Sequence, residues 1–310
     1  MTPRELRTAG IAIAFALTPM LTGCRPLQNA LLFHPQPLMA PVPAPPSGWR
    51  VEPLALERPG EVTVRGWLVV PPTAPVRAVA YFGGNAEEVS WLVAHADRFG
   101  GRAVALVNYR GFGGSRGKPA EEALVGDAIA LFDALSARPD VRGGVAAMGR
   151  SLGTGIAVRL AAQRPVDRVV LVSPYDSIEA VGAHYFPAAL VRAVIADRYD
   201  AKSHAPALRI PMLAVVAGSD EVIPVERSRS LHDAWGGPKR WVEVPRAGHN
   251  DLQEHAPFWR EIGAFLAEPR PPRAARPVAD ACAARAPPAR TAGGPSRVPA
   301  RASAGARRSR

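Results

Sequence analysis

The sequence predicts an α/β fold in which helices cover both faces of one mostly parallel sheet. Between residues 48 and 268, short apolar runs alternate with longer stretches that repeat apolar residues at helical spacing. Strand and helix alternating this often indicate right-handed crossovers between parallel strands. A segment of about 220 residues is the size of one domain, and in such a sheet ligands bind at the carboxyl ends of the strands.

The individual elements follow from the apolar pattern. Seven short runs, most of them rich in Val, predict strands at residues 62–70, 76–82, 103–108, 143–148, 168–173, 212–217 and 240–244. Helical spacing predicts helices near residues 86–99, 120–137, 152–163, 224–235 and 256–267. The segment 174–209 is long enough for a helix and a small cap over the sheet.

Composition and charge narrow the class of protein. Of the 310 residues, 47% are hydrophobic and 21% are charged, which excludes a disordered chain, collagen and a coiled coil. The formal charge of +11 is concentrated in residues 269–310, which hold ten Arg and one Asp. The rest of the chain is nearly neutral and predicts no nucleic-acid partner. The tail lacks aromatic residues, and we expect it to be disordered.

The N-terminus has the layout of a secretory signal. Arg4 and Arg7 precede an apolar run at residues 11–21, which is too short to span about 30 Å of hydrocarbon. The following Leu-Thr-Gly-Cys resembles the lipobox of bacterial lipoproteins, and that resemblance implies removal of residues 1–23 and acylation of Cys24, with palmitate among the acyl chains. The alternatives are a cysteine in an ordinary signal peptide and an uncleaved anchor.

The residues around the lipobox suggest a location. Arg25 stands where the sorting pattern of Gram-negative lipoproteins would have Asp for the inner membrane, so the resemblance implies the outer membrane. Seven prolines in residues 24–47 predict an extended polyproline spacer between membrane and domain. Cys282 is the only other cysteine, so acylation of Cys24 leaves no intramolecular disulfide.

One predicted strand end carries a nucleophile motif. Residues 149–153 read Gly-Arg-Ser-Leu-Gly and lie between a strand and a helix. A turn this tight strains the backbone at Ser151 and requires small neighbours, which Gly149 and Gly153 provide. The alternative interpretation is that Ser151 is an ordinary helix N-cap.

A serine nucleophile needs a base and an acid that orients the base. Asp220 follows the strand at 212–217, and His249 follows the strand at 240–244. Several unrelated folds carry a Ser-His-Asp triad, and each has its own order of these residues along the chain. The order Ser, Asp, His is typical of one of these folds. Asp176, which follows the strand at 168–173, is the alternative acid.

These motifs together resemble the α/β hydrolases, and in particular their Bem46-like and ABHD13-like branch. The resemblance covers residues 48–268 and includes Tyr-Phe-Gly-Gly-Asn-Ala at 81–86, Asn-Tyr-Arg-Gly-Phe-Gly-Gly-Ser at 108–115 and Gly-Ser-Asp-Glu-Val-Ile-Pro at 218–224. One departure is Gly83, where the family commonly has His, and this puts the support of that loop in doubt.

The resemblance implies a function and an oxyanion hole. The backbone N–H groups of Asn85 and Leu152 would stabilise the oxyanion, although an ordinary turn also explains Gly83-Gly84. Specificity would come from the cap, with Tyr175, Tyr185 and Phe186 on the wall of a pocket for a small or medium acyl group, or simply packed against the sheet.

The sequence therefore predicts a membrane-tethered extracytoplasmic serine hydrolase of small-molecule acyl esters that needs no cofactor and no metal. Thioesterases, peptidases and acyltransferases share this triad, so the leaving group stays open. A catalytically silent envelope lipoprotein is the alternative from another class. The oligomeric state is not predicted.

Overall fold

The computed structural model describes residues 26–269, which contain one eight-stranded sheet. The strands are β1 Arg50–Arg58, β2 Val62–Val70, β3 Val76–Phe82, β4 Ala103–Val107, β5 Val141–Arg150, β6 Val169–Val172, β7 Met212–Ala217 and β8 Lys239–Val244. Their order is β1-β2-β4-β3-β5-β6-β7-β8. Pairs β1–β2 and β2–β4 are antiparallel and the remaining pairs are parallel. The predicted signal peptide, Cys24 and the basic tail from residue 270 lie outside the described residues.

The seven predicted strands are confirmed, and the sequence analysis missed β1. In the described part of the chain this strand pairs only with β2, at the edge of the sheet, so its side chains are half-exposed and give no apolar run. Pro53 lies within it, and proline is tolerated in a sheet mainly on such an edge strand.

Helices cover both faces of the sheet, as predicted. They are α1 at residues 26–32, α2 Glu121–Ser136, α3 Leu152–Gln163, α4 Ile178–Tyr185, α5 Ala188–Val194, α6 Ala201–His204, α7 Val225–Ala234 and α8 Ala256–Ala267, with 3₁₀ helices at Val89–Arg98, Ala205–Ala207 and Leu252–Glu254. Helices α2, α3 and α7 bury apolar side chains against one face. Helix α8 and the 3₁₀ helix Val89–Arg98 cover the other. No helix within residues 26–269 has both the length and the apolarity to cross a membrane.

The segment expected to be an extended spacer is folded onto the domain instead. Residues 26–32 form α1, whose Gln28 amide donates to the backbone of Asp197 at 2.7 Å and accepts from Ala196 at 2.6 Å. Phe33 is buried and meets Phe112 edge to face. Proline density predicted polyproline conformation, but these long-range contacts stabilise a helix where the prolines are sparse.

A buried ion pair joins the amino ends of the central strands to the C-terminal helix. Arg102 Nη2 lies 2.9 Å from Asp167 Oδ2, and both side chains are almost fully buried. Arg102 also donates to the carbonyls of Leu266 and Ala78. Burial lowers the pKa of Arg102 to about 10, although the hydrogen bond from Arg102 to Asp167 opposes that shift. The guanidinium is therefore charged and paired at neutral pH.

Removing Asp167 should destabilise the fold strongly. In Asp167→Ala the guanidinium of Arg102 stays buried without its partner, and we expect the free energy of unfolding to fall by about 3–5 kcal/mol in urea denaturation. The control is Asp133→Ala, which removes an exposed carboxylate from its pair with Arg164 and should cost about 0–1 kcal/mol. Equal losses in the two variants would contradict this assignment.

Candidate active site

The turn between β5 and α3 holds Ser151 in a strained backbone conformation. Its φ is 50° and its ψ is −119°, in the positive-φ region that side chains other than glycine rarely adopt. Strain of this kind costs about 1–3 kcal/mol and persists only where the surroundings over-determine it. Here β5 pairs with strands on both sides, and α3 is buried from its first residue.

Two glycines make this turn possible, as predicted. A Cβ at Gly149 would lie 2.2 Å from the carbonyl oxygen of Gly153, and a Cβ at Gly153 would lie 2.1 Å from that of Phe82. Both contacts are with backbone, which cannot rotate away. The close approach presses the first turn of α3 against the carboxyl end of β3.

The three residues predicted as a triad lie within hydrogen-bond distance. Ser151 Oγ is 3.0 Å from His249 Nε2. His249 Nδ1 is 2.9 Å from Asp220 Oδ2 and 3.0 Å from Asp220 Oδ1. All three side chains are buried, so water competes little for these contacts.

The surroundings of Asp220 keep it ionised. Burial raises the pKa of Asp220, but the hydrogen bond from His249 and the N–H groups of Ile223 and Val222 outweigh burial and hold that pKa below its ordinary value. An ionised carboxylate can only accept, so His249 Nδ1 carries the proton. The Nε2 lone pair then faces the hydroxyl of Ser151.

The structure disfavours Asp176 as the acid and also disfavours an N-cap role for Ser151. Asp176 accepts from the N–H of Ser177 at 2.8 Å and from Arg227 at 3.2 Å, which directs its carboxylate away from the histidine. Ser151 precedes α3, but its side chain makes no capping hydrogen bond. Its hydroxyl is therefore available to His249.

The loop after β3 places the predicted oxyanion donors beside Ser151. Asn85 and Leu152 line the same cavity as Ser151. Within residues 26–269, neither backbone N–H of this pair has a hydrogen-bond acceptor. The Asn85 side-chain amide donates to the carbonyl of Leu32 at 2.7 Å, and the backbone carbonyl of Asn85 accepts from the backbone N–H of His34 at 2.9 Å. Residues 32 and 34 of the N-terminal segment therefore stabilise the loop after β3 through these two hydrogen bonds.

Glu87 supports this loop, and the sequence analysis did not identify it. Its carboxylate accepts from the N–H of Gly84 at 2.8 Å, from Tyr81 at 2.8 Å and from Trp91 at 3.1 Å. The hydroxyl of Tyr109 donates to the Gly83 carbonyl at 2.7 Å. The loop support placed in doubt by Gly83 therefore comes from other side chains.

Arg150 connects the loop after β3 to the histidine loop. Its guanidinium lies 3.2 Å from Glu87 Oε2 and donates to the His249 carbonyl at 3.1 Å and to Asn250 Oδ1 at 3.2 Å. A charged residue directly before the nucleophile was the only signal in the sequence. Its partners come from segments about 60 and 100 residues away, which no local pattern shows.

An apolar cavity of about 510 Å³ opens above Ser151. Its walls come from α1, α4, α5 and the loop before α7, and they include Tyr185 and Phe186, as predicted. Tyr175 does not line it and instead follows the alternative expectation of packing in the core. Its ring is buried beneath the turn, and its hydroxyl donates to the carbonyl of Leu152 at 3.0 Å.

Comparison with known proteins agrees with this architecture. The family model described as serine aminopeptidase, S33, matches residues 73–197, which include β3, the loop after it and the Ser151 turn. An uncharacterised protein of Mycobacterium tuberculosis, Rv2307c, is 41% identical over 152 residues, covering 49% of this chain and 54% of the relative. The human protein ABHD12B is 32% identical over 152 residues, covering 43% of this chain and 42% of the relative. The chain thus spans about half the length of these curated relatives.

Solved structures share the fold at low sequence identity. The Pyrococcus furiosus esterase Pf2001 superposes with a TM-score of 0.59 at 16% identity, covering 77% of this chain and 99% of the esterase. The sheet order and these likenesses show that the fold is the α/β-hydrolase fold, and the matching family model and the human relative support an α/β hydrolase.

Adding a methyl group at Gly149 should break the turn at Ser151. The new Cβ would collide with backbone, so we expect Gly149→Ala to lose about 1–3 kcal/mol or more of unfolding free energy. Gly126→Ala is the matched control, because its Cβ in the interior of α2 meets only Arg58 Nη2 at 3.5 Å. Helix propensity should make that change neutral or stabilising by up to about 1 kcal/mol. Thermal unfolding of both variants tests the difference, and an unaffected Gly149→Ala would contradict it.

Proposed function

We propose that the chain is a membrane-tethered, extracytoplasmic serine hydrolase that cleaves carboxylic esters through an acyl-enzyme intermediate. The observation that carries the proposal is the chain of hydrogen bonds from Ser151 through His249 to Asp220 at the base of an apolar cavity. Esterases among the proteins of this fold, such as Pf2001, support the choice of ester.

The geometry accounts for acylation. Ser151 Oγ attacks the ester carbonyl carbon while His249 Nε2 takes its proton. The carbonyl oxygen becomes an anion and accepts from the N–H groups of Asn85 and Leu152. The bond to the leaving alcohol then breaks, and His249 returns the proton to the alcohol oxygen. Asp220 stabilises the imidazolium throughout, because its carboxylate stays ionised.

Deacylation uses the same groups. Water attacks the acyl carbon and gives a proton to His249, the second oxyanion forms in the same hole, and the proton returns to Ser151 Oγ as the carboxylic acid leaves. Among residues 26–269, no charged side chain lines the cavity, so the acyl portion of the substrate that fills it is apolar.

Labelling with a fluorophosphonate probe tests the nucleophile. Wild-type protein should form one adduct, located at Ser151 by mass spectrometry, and Ser151→Ala should form none. Ser173→Ala is the matched control, because Ser173 is also a buried serine at a strand end with positive φ, and its hydroxyl has no hydrogen-bond partner within residues 26–269. A folded wild-type protein that takes up no label would refute the serine-hydrolase proposal and favour a silent lipoprotein.

Substitution of two aspartates tests which of them orients His249. Asp220→Asn should lower kcat for a small p-nitrophenyl ester by about 10⁴-fold, because the amide cannot stabilise the imidazolium or keep its tautomer. Asp176→Asn should keep kcat within about tenfold, because its carboxylate pairs with Arg227 instead. The reverse pattern would assign the acid role to Asp176.

The membrane tether depends on acylation of Cys24. Full-length protein expressed in a Gram-negative host with an alkyne analogue of palmitate should carry the label and sediment with outer-membrane fractions. Cys24→Ala should lose both properties, whereas Cys282→Ala, which changes the only other cysteine, should keep them. Label that persists in Cys24→Ala would contradict the lipoprotein assignment.

A further inference from the structure

Exposed apolar side chains are concentrated around the mouth of the cavity. In residues 26–269, eight large hydrophobic side chains are well exposed, and six of them line this cavity. We call these six the apolar rim: Leu27, Leu31, Tyr185, Phe186, Leu190 and Val222. Single exposed apolar residues are ordinary, but a contiguous group around a cavity marks an interaction surface.

Two of the helices that form the rim are only partly buried. Helix α5 reads Ala-Ala-Leu-Val-Arg-Ala-Val, and α4 is similarly apolar, yet neither contains a buried residue. Leu31 on α1 is 67% exposed and Phe186 between α4 and α5 is 62% exposed. Helices that keep an apolar face partly exposed are typical of the interface between water and lipid.

The N-terminal sequence favours a lipid surface as the partner of the rim. Cys24 is two residues before Pro26, where α1 is first described, and two residues span at most about 7 Å. Both an acylated Cys24 and an uncleaved apolar run at residues 11–21 would bring the chain into the bilayer at this point. The anchor predicted from the sequence therefore starts beside the cavity mouth and not at the end of a long spacer.

We propose that the apolar rim docks onto the lipid bilayer, and that the cavity takes the acyl chain of an amphiphilic ester directly from the membrane surface. The inference about substrate rests on the proposed function. A cavity of about 510 Å³, whose described lining residues include no charged side chain, accepts a long acyl chain, whereas our sequence-based hypothesis was a small or medium one.

Docking would also act on the oxyanion loop. The Asn85 side chain donates to Leu32 at the end of α1, and the next segment of the chain binds the Asn85 carbonyl through His34. A bilayer that fixes α1 would therefore fix the loop that carries one oxyanion donor. The same docking event would then bring the protein to its substrate and fix the oxyanion loop.

Vesicle binding without the lipid anchor tests the docking surface. The mature chain carrying Cys24→Ser is sedimented with phosphatidylcholine vesicles, whose zero net charge gives little attraction for the arginine-rich tail. The variants Leu27→Ser/Leu31→Ser and Phe186→Ser/Leu190→Ser should each bind at least tenfold more weakly. The control Leu38→Ser/Met39→Ser changes two exposed side chains outside the rim, at 45% and 46% exposure, and should bind as the parent does.

Three results would overturn the docking proposal. The first is no binding by the parent, the second is equal weakening in the control, and the third is a dimer by light scattering that only the rim variants lose. The third result would assign the rim to a second copy of this chain. Circular dichroism of each double variant confirms that the comparison is between folded proteins.

Ester hydrolysis separates this inference from the proposed function. The mature chain carrying Cys24→Ser should have a kcat/KM for p-nitrophenyl dodecanoate at least tenfold higher than for p-nitrophenyl butanoate. Phe186→Ser/Leu190→Ser should reduce the ratio of these two kcat/KM values. Preference for butanoate would overturn the substrate class. Vesicle binding that depends on the rim, without any ester hydrolysis, would refute the proposed function and support the docking surface. Ester hydrolysis with vesicle binding that does not depend on the rim would support the proposed function and refute the docking surface.

Discussion

The approach of the first turn of α3 to the end of β3 is the constraint on which the rest of the site depends. At Gly153 the backbone leaves no room for a side chain, since a Cβ would lie 2.1 Å from the carbonyl oxygen of Phe82. This contact sets Leu152 and the loop after β3 on the same side of Ser151. The predicted oxyanion donors and the predicted nucleophile are thus positioned by backbone geometry. The strain at Ser151 is offset by the parallel pairing of β5 and the burial of α3.

Polar contacts extend this arrangement across three segments that are distant in sequence. Glu87 joins the oxyanion loop to Arg150, and Arg150 holds the backbone of the His249 loop. A displacement of either loop would therefore break a charge-assisted hydrogen bond in a largely buried location, where such bonds are stronger than in water. On the outer side, α1 holds Asn85. The loop lies between an internal ionic network and an N-terminal segment beside the membrane anchor that the sequence predicts.

Local sequence predicted most of the sheet and the three residues that the structure brings within hydrogen-bond distance. Each central strand is buried on both faces, so its apolar run is continuous and easily recognised, whereas β1 was missed because an edge strand alternates between water and core. Ser151, Asp220 and His249 were identified because strand ends meet at one edge of a parallel sheet. The contacts of Glu87 and Arg150 could not be predicted, since a single charged residue has no periodic pattern and its partner is chosen by the fold.

The sequence by itself determined the α/β class, the chain order of the predicted nucleophile, acid and base, and the need for glycine on both sides of Ser151. These follow from hydrophobic periodicity and local backbone sterics. Only the tertiary structure decided that Asp220 and not Asp176 contacts His249, because the choice depends on which strand end faces the imidazole and on Arg227 pairing with Asp176. It also decided that residues 26–32 fold as a helix over the cavity. Proline density describes local preference, whereas hydrogen bonds between Gln28 and residues 196–197 stabilise the folded segment through contacts about 170 residues apart.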